Sequence, residues 1–378
     1  MTRKPPNSRP RRLFLIATPL LAVLATLACL ELALALFFPT PFSLEHNMYF
    51  EPDPHTGYRL KPNTTGQYGT IEARANSRGH RDDEIEIARR PGSRRILAIG
   101  DSFTLGTRVH QHEAYPQRLE VLLNQPGETL TEVVNAGVGG WDTFHYAQYY
   151  EHRGRQLSPD LVLVGYFVGN DVYDQATSLE ELRTAVLGRR VTRESARSLS
   201  LSPKVLLYEN SHLARLVLNR GPRIMGLPVR EDCSDFPEWY RSYQASRMGY
   251  HRVRDRNRDH RVDASIDHLD RLRRLAETDG ARLVVVLLPD ENQINPTLQA
   301  SIIPAEKRDH YDFRMPQTLV EERLAAIGVP TIDLQDAFRD DPRCLYMNDT
   351  HWTPEGHALA AATIHRALRE RGLLPPAR

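Results

Sequence analysis

Hydropathy divides the chain before any motif is considered. From residue 13 to 38 the sequence is apolar apart from one charge, Glu31. That exceeds the roughly 18–20 apolar residues that cross a bilayer. Residues 39–92 are rich in Pro, Gly, Asn and charge with no sustained apolar period, which predicts an extended stalk wrapping onto the domain behind it. Short, mostly β-branched runs then recur at 95–99, 132–134, 161–168, 282–288 and 329–333, bounded by Gly, Pro or Asn, and read as buried parallel strands. Helical periodicity occupies 115–123, 267–278 and 356–368 between and after them. The alternation predicts an α/β fold, a three-layer doubly wound parallel sheet whose ligand sits at the carboxyl ends of its strands. Residues 172–270 are too long for a simple crossover and predict a helical insertion over one edge of that face, with an amphipathic helix at 204–219 and aromatic packing from Trp239 and Tyr240.

Composition and charge narrow the function class. The 378 residues carry 49 Lys+Arg against 48 Asp+Glu and only 3 Cys, which excludes a disordered chain and a disulfide-packed miniprotein. A net charge of +1 argues against a nucleic-acid partner. Arg3, Lys4, Arg9, Arg11 and Arg12 precede the apolar run with no acid among them, so the positive-inside rule holds the N-terminus in the cytoplasm and everything past residue 38 outside it. The expectation is a cytoplasmic tail (1–12), an uncleaved single-pass anchor in the cytoplasmic (inner) membrane (13–38), a stalk (39–92) and one extracytoplasmic or periplasmic domain (93–375). A cleaved signal is the competing reading, because Ala33-Leu34-Ala35 has a small-x-small form. Cys29 after Ala28 resembles a lipidation site, but Thr26 is a poor residue at its third upstream position.

Each predicted strand end delivers polar or small residues. The first gives Gly100-Asp101-Ser102, the second Asn135 through Gly140, and the third Gly169-Asn170-Asp171; before the last helix stand Asn348-Asp349-Thr350-His351-Trp352. Singly, these are common features: a serine is often a helix N-cap and glycines make turns. Together they supply a nucleophile, oxyanion donors, a general base and an orienting acid on one face of one sheet.

This ordered set resembles the SGNH, or GDSL-like, hydrolase family over roughly residues 93–370, and the stretches 57–63 and 76–81 look like those of its membrane-anchored members. The resemblance implies a flavodoxin-like SGNH fold, catalysis by Ser102, His351 and Asp349, and an oxyanion hole made of the Ser102 and Gly140 N–H groups and the Asn170 side-chain amide. The family places its acid three residues before the histidine, where this chain has Asn348; Asp349 lies two before. That D-x-H-W form is similar to the loop of SGNH-like polysaccharide O-acetyltransferases. Asp349 is the first choice as the orienting acid, with Asp341 and Asp340 in reserve. A nucleophile elbow of the G-x-S-x-G kind is absent around Ser102.

Asp101, Asp290, Gln293 and Trp352 are candidates for the pocket rim. His110 and His112, and an Asp255-x-Asn257-x-Asp259 spacing with His260 at its sixth position, fall short of metal sites, so no metal or cofactor is expected. Cys233 and Cys344 could pair in an oxidising compartment, tying the insertion to the loop of Asp349 and His351, or stand as separate thiols. The sequence thus points to a membrane-anchored ester hydrolase removing acetyl or other small acyl groups from carbohydrate or cell-envelope substrates. An O-acetyltransferase using the same acyl-serine, and a non-catalytic glycan-binding module, are the alternatives.

Overall fold

The structure is a computed structural model that describes residues 9–38, 42–43, 50–68, 71–171, 207, 210–217, 234–253 and 256–377. Its strands are β1 (Phe42–Ser43), β2 (Phe50–Asp53), β3 (Gly57–Leu60), β4 (Thr65–Tyr68), β5 (Ile71–Arg74), β6 (Arg94–Gly100), β7 (Thr131–Gly137), β8 (Leu161–Phe167), β9 (Arg282–Leu288) and β10 (Thr331–Asp333). We number the helices α1 (Arg9–Phe37), α2 (Ser102–Leu105), α3 (Tyr115–Leu123), α4 (Thr143–His152), α5 (Glu238–Ser246), α6 (Arg256–Thr278), α7 (Glu291–Ile294), α8 (Pro296–Ile302), α9 (Met315–Ala326), α10 (Gln335–Arg339) and α11 (Pro354–Glu370).

The last five strands form one all-parallel sheet in the order β10-β9-β8-β6-β7. Alternate residues along these strands feed two cores. Leu97, Ile99, Val134, Val162, Val164, Val285 and Leu287 pack toward α4, α6 and α9. Ile96, Ala98, Val133, Leu161, Leu163, Val284 and Val286 pack toward α3 and α11. Burial on both faces explains why the strands read as continuous apolar runs. The order reverses between β6 and β8, the switch point at which such sheets bind ligands. Ser102 and Asn170 follow those two strands.

Three glycines let a helix sit directly on the strand ends. Gly100 is in register with Gly137 on one neighbour and Gly165 on the other, forming a row across β7, β6 and β8. A Cβ on Gly100 would fall 2.0 Å from Thr104 Oγ1, on Gly137 2.2 Å from the Leu105 nitrogen, and on Gly165 2.6 Å from Thr104 Oγ1. Helix α2, which begins at Ser102, therefore rests on bare backbone.

The segment before the sheet is built from strands of four residues or fewer, too short to leave a periodic signal. β2 and β3 form a hairpin, while β1, β4 and β5 form a second small sheet. Its side chains reach the strand ends. Buried Arg81 donates to the carbonyls of Leu105, Gly106 and Val109, holding the turn that ends α2. Tyr58 Oη donates to the Gly139 carbonyl at 3.0 Å.

Within α1, Ala17–Phe37 is long and apolar enough to cross a membrane. Its carboxylate, Glu31, accepts from Ser211 Oγ at 2.7 Å and from the N–H groups of His212 and Leu213 at 2.6 and 3.0 Å. Much of the insertion, including 172–206 and 218–233, lies outside the described residues. The predicted helix at 204–219 is therefore described only in part.

The glycine row predicts the effect of adding one methyl group. In Gly137→Ala the new Cβ meets backbone rather than a flexible side chain, so we expect a loss of about 1–3 kcal/mol by urea denaturation. An unchanged midpoint would contradict the close-approach argument.

Candidate active site

The turn that carries Ser102 is organised by Asp101. Its buried carboxylate caps α2 by accepting from the Phe103 N–H at 2.9 Å, and also accepts from Asn170 Nδ2 at 2.9 Å. Burial pushes the Asp101 carboxyl up to about 6, against the opposing pull of the Phe103 N–H, the His351 charge and the Asn170 amide. Asp101 thus joins the first and third strand ends from below and is not on a rim. Asn170 keeps its second amide hydrogen for another acceptor.

The third turn is fixed by Asp171, which accepts from the Phe167 N–H at 2.8 Å and from Tyr146 Oη at 3.0 Å. Burial raises its carboxyl well above the ordinary range, and the Asp101 and Asp142 charges add to the shift. In the second turn Asn135 Oδ1 accepts from the Gly137 N–H at 3.0 Å. Trp141 N donates to the Val138 carbonyl at 3.1 Å, closing a tight turn with Gly140 at φ 76°. Only glycine takes that conformation without strain. A Cβ placed on Gly139 would lie 3.8 Å from Ser102 Cβ, so this turn faces the serine. Among the described residues no acceptor takes the Gly140 N–H in a backbone hydrogen bond.

The loop before α11 brings the acid and imidazole together. Nδ1 of His351 lies 3.3 Å from Asp349 Oδ2, an ion-pair distance rather than a well-aligned hydrogen bond. Asp349 Oδ1 accepts from the His351 N–H at 3.2 Å, and Arg108 Nε pairs with Asp349 Oδ2. Burial alone would raise the Asp349 carboxyl, but the His351 charge beside it, followed by Arg108 and the His351 backbone N–H, holds it down at about 2. The His351 ring leans on Phe103, the residue after Ser102, with centroids 5.5 Å apart. That contact places the imidazole beside the Ser102 turn.

Between Asp349 and His351, Thr350 has φ 81°, a rare conformation for a β-branched residue that costs on the order of 1–3 kcal/mol. Three contacts hold the loop in this shape. Met347 N donates to the His351 carbonyl at 2.7 Å, Thr350 N donates to the Met347 carbonyl at 3.2 Å, and Gln244 Nε2 of α5 donates to Thr350 Oγ1 at 3.1 Å.

Several sequence expectations need correction. Asp290, Gln293 and Trp352 do not line a rim; all three are buried. Asp290 caps α7 and pairs with Arg247, Gln293 exchanges hydrogen bonds with Gln317, and Trp352 packs between Phe103 and Phe338. The reserve acids are elsewhere engaged: Asp341 pairs with Arg343 and Asp340 with Arg339. Asn257 and Asp259 lie on α6, and Asp255 is outside the described residues. Cys344 is disulfide-bonded and Cys29 is free, while Cys233 lies outside the described residues. Arg108 and Gln244 carry no motif, and Arg81 ends the 76–81 stretch without a sign of its role. The row of glycines at equivalent strand ends was the one readable signal of the close approach.

Residues 248–377 match the model of the SGNH hydrolase-like domain, acetyltransferase AlgX. That stretch, about a third of the chain, is similar to an SGNH hydrolase-like domain. The matched stretch contains Asp349 and His351, while Ser102 and Asn170 lie before it. No curated protein matches the chain. Among solved structures, an α/β hydrolase from the metagenome of Lake Arreo, Spain, is 16% identical over 75% of this chain and 98% of its own, with a TM-score of 0.40. An acetyl-xylooligosaccharide esterase from Geobacillus stearmophilus is 15% identical over 75% and 95%, with a TM-score of 0.39. A lipase/acylhydrolase from Enterococcus faecalis is 14% identical over 75% and 99%, with a TM-score of 0.36.

The Asp349 carboxyl gives a pH prediction. Its folded pKa of about 2 lies below its usual 3.8. Its contribution to stability is therefore complete above about pH 4 and lost as the pH falls through about 2. The stability difference between wild type and Asp349→Asn, from urea titrations, should grow as the pH rises across that window. A constant difference would contradict the depressed pKa.

Proposed function

We propose that this chain is a membrane-anchored, extracytoplasmic serine enzyme that removes acetyl or another small acyl group from carbohydrate or cell-envelope esters. The observation that carries the reading is the convergence of the Ser102 turn, the Asn170 amide and the Arg108-supported Asp349–His351 pair at the carboxyl end of one sheet. The span Ala17–Phe37, with cations before it, supports the anchor, and a disulfide-bonded Cys344 is consistent with an oxidising compartment.

In this mechanism Ser102 Oγ attacks the ester carbonyl as His351 Nε2, the ring nitrogen directed away from Asp349, takes the hydroxyl proton. Asp349, held by Arg108, fixes the imidazole tautomer and stabilises the imidazolium. The oxyanion is received by the N–H groups of Ser102 and Gly140 and by Asn170 Nδ2, which Asp101 orients. The carbonyl re-forms, the C–O bond to the alcohol breaks, and His351 returns the proton to the departing alkoxide. Water, deprotonated by His351, then attacks the acyl-serine and releases the acid and free Ser102.

The match of residues 248–377 to an acetyltransferase domain favours a second reading, in which a sugar hydroxyl replaces that water. One assay separates them. The full chain in detergent micelles is given an activated acetyl ester with and without an oligosaccharide acceptor, beside Ser102→Ala. Acetyl release to water that depends on Ser102 supports the hydrolase, and acetyl appearing on the acceptor supports the transferase. Absence of Ser102-dependent turnover overturns both and leaves a glycan-binding module. Asn170→Ala should lower kcat by about 10²–10³-fold; an unchanged kcat would remove Asn170 from the oxyanion hole.

A further inference from the structure

The three turns around Ser102 are tied to one another in pairs. The Val138 N–H of the second turn donates to the Gly100 carbonyl at the end of β6 at 3.0 Å, and Asp101 of the first turn holds Asn170 of the third. The second and third turns, which carry the Gly140 N–H and the Asn170 amide, meet through Tyr146 of α4. Its Oη lies 3.2 Å from the Trp141 carbonyl, next to Gly140 in the chain. It also lies 3.0 and 3.2 Å from Oδ1 and Oδ2 of Asp171, the residue after Asn170.

The hydrogens in this contact can be counted. All three residues are buried, Asp171 and Tyr146 completely. A phenol has one hydrogen to give, whereas a backbone carbonyl and an ionised carboxylate have none. An ionised Asp171 takes the Tyr146 hydrogen, and the Trp141 carbonyl is then left facing a lone pair of Oη. A proton on Asp171 removes that conflict. Asp171 Oδ2 already accepts from the Phe167 N–H at 2.8 Å, so the proton belongs on Oδ1. Asp171 then donates to Tyr146, Tyr146 donates to Trp141, and each contact has one hydrogen. The surroundings favour the neutral acid. Facing Asp171 are the carboxyls of Asp101 and Asp142 and the phenols of Tyr146 and Tyr166. Burial, with the two carboxyls adding to it, pushes the Asp171 carboxyl well above its usual range.

We propose that Asp171 is a protonated positioning residue, which donates through Tyr146 to the Trp141 carbonyl and so fixes the Gly140 turn against Asn170. The proposal rests on the reading of Gly140 and Asn170 as oxyanion donors. It reverses the direction that an ionised carboxylate imposes on the Tyr146–Asp171 hydrogen bond, and it makes the spacing of the two donors depend on one buried proton.

A stability titration tests the proton without using activity. Urea titrations of the full chain in detergent micelles give the folding constants of wild type and of Asp171→Asn, whose amide donates where the acid does and has no proton to lose. The unfolded chain releases the Asp171 proton above about pH 4 while the fold keeps it. The stabilising contribution is therefore complete below about pH 4, and the wild-type constant relative to that of the variant should fall about tenfold per pH unit from about pH 4 to 6. A constant ratio over that range means an ionised Asp171 and overturns the proposal. Turnover of an activated acetyl ester tests the positioning. Tyr146→Phe should lower kcat about tenfold with KM unchanged, and Asp171→Asn should recover most of the kcat that Asp171→Ala loses. An unchanged kcat in Tyr146→Phe, or Asp171→Asn as slow as Asp171→Ala, also overturns it. If wild type shows no Ser102-dependent turnover, the enzymatic reading fails separately. The stability titration then decides: a falling ratio supports the protonated link, and a constant one overturns it.

Discussion

The site depends on how closely a helix can approach the ends of three parallel strands. Gly100, Gly137 and Gly165 lie side by side across the sheet, and any Cβ in that row would collide with Thr104 or Leu105 of the helix that starts at Ser102. Because that floor is bare backbone, Ser102 sits at the switch point between β6 and β8. The turns after β7 and β8 rise beside it and bring Gly139 and Asn170 to the same place. The capping carboxylate of Asp101 then needs only one further hydrogen bond to fix Asn170 relative to the serine.

The other half of the site is held by a different device. Asp349 and His351 are only two residues apart, a spacing that brings their side chains together through an unusual backbone. Thr350 supplies it at positive φ, and the strain is held by contacts from distant parts of the chain: Arg108 after α2 and Gln244 on α5. The upstream segment contributes as well. Arg81 fixes the turn from which Arg108 emerges, and Tyr58 supports the turn of Gly139 and Gly140. Segments that look like stalk and insertion in the sequence thus position the groups around the serine.

How much of this was legible follows from the range of each interaction. The five sheet strands were readable because burial on both faces leaves apolar runs, and the polar blocks at their ends stood out because each interrupts such a run. The β2–β5 strands were not, because four residues carry too little periodicity. Asp290 and Gln293 were misplaced on a rim because polar residues after a strand usually face solvent; here a buried network with Arg247, Gln244 and Gln317 satisfies them. Trp352 looked like a pocket aromatic for the same local reason and is core. Arg108 and Gln244 act across long separations and leave no local pattern.

The central claim is that Ser102 carries the acyl group between two half-reactions. The most direct measurement is peptide mass spectrometry of the full chain after brief acid quenching of its reaction with an activated acetyl ester. The account predicts one acetyl group on the peptide containing Ser102, accumulating in Asp349→Asn or His351→Ala only far more slowly than in wild type. Acetylation spread over surface residues, or no adduct on that peptide while Ser102-dependent ester turnover proceeds, would contradict it.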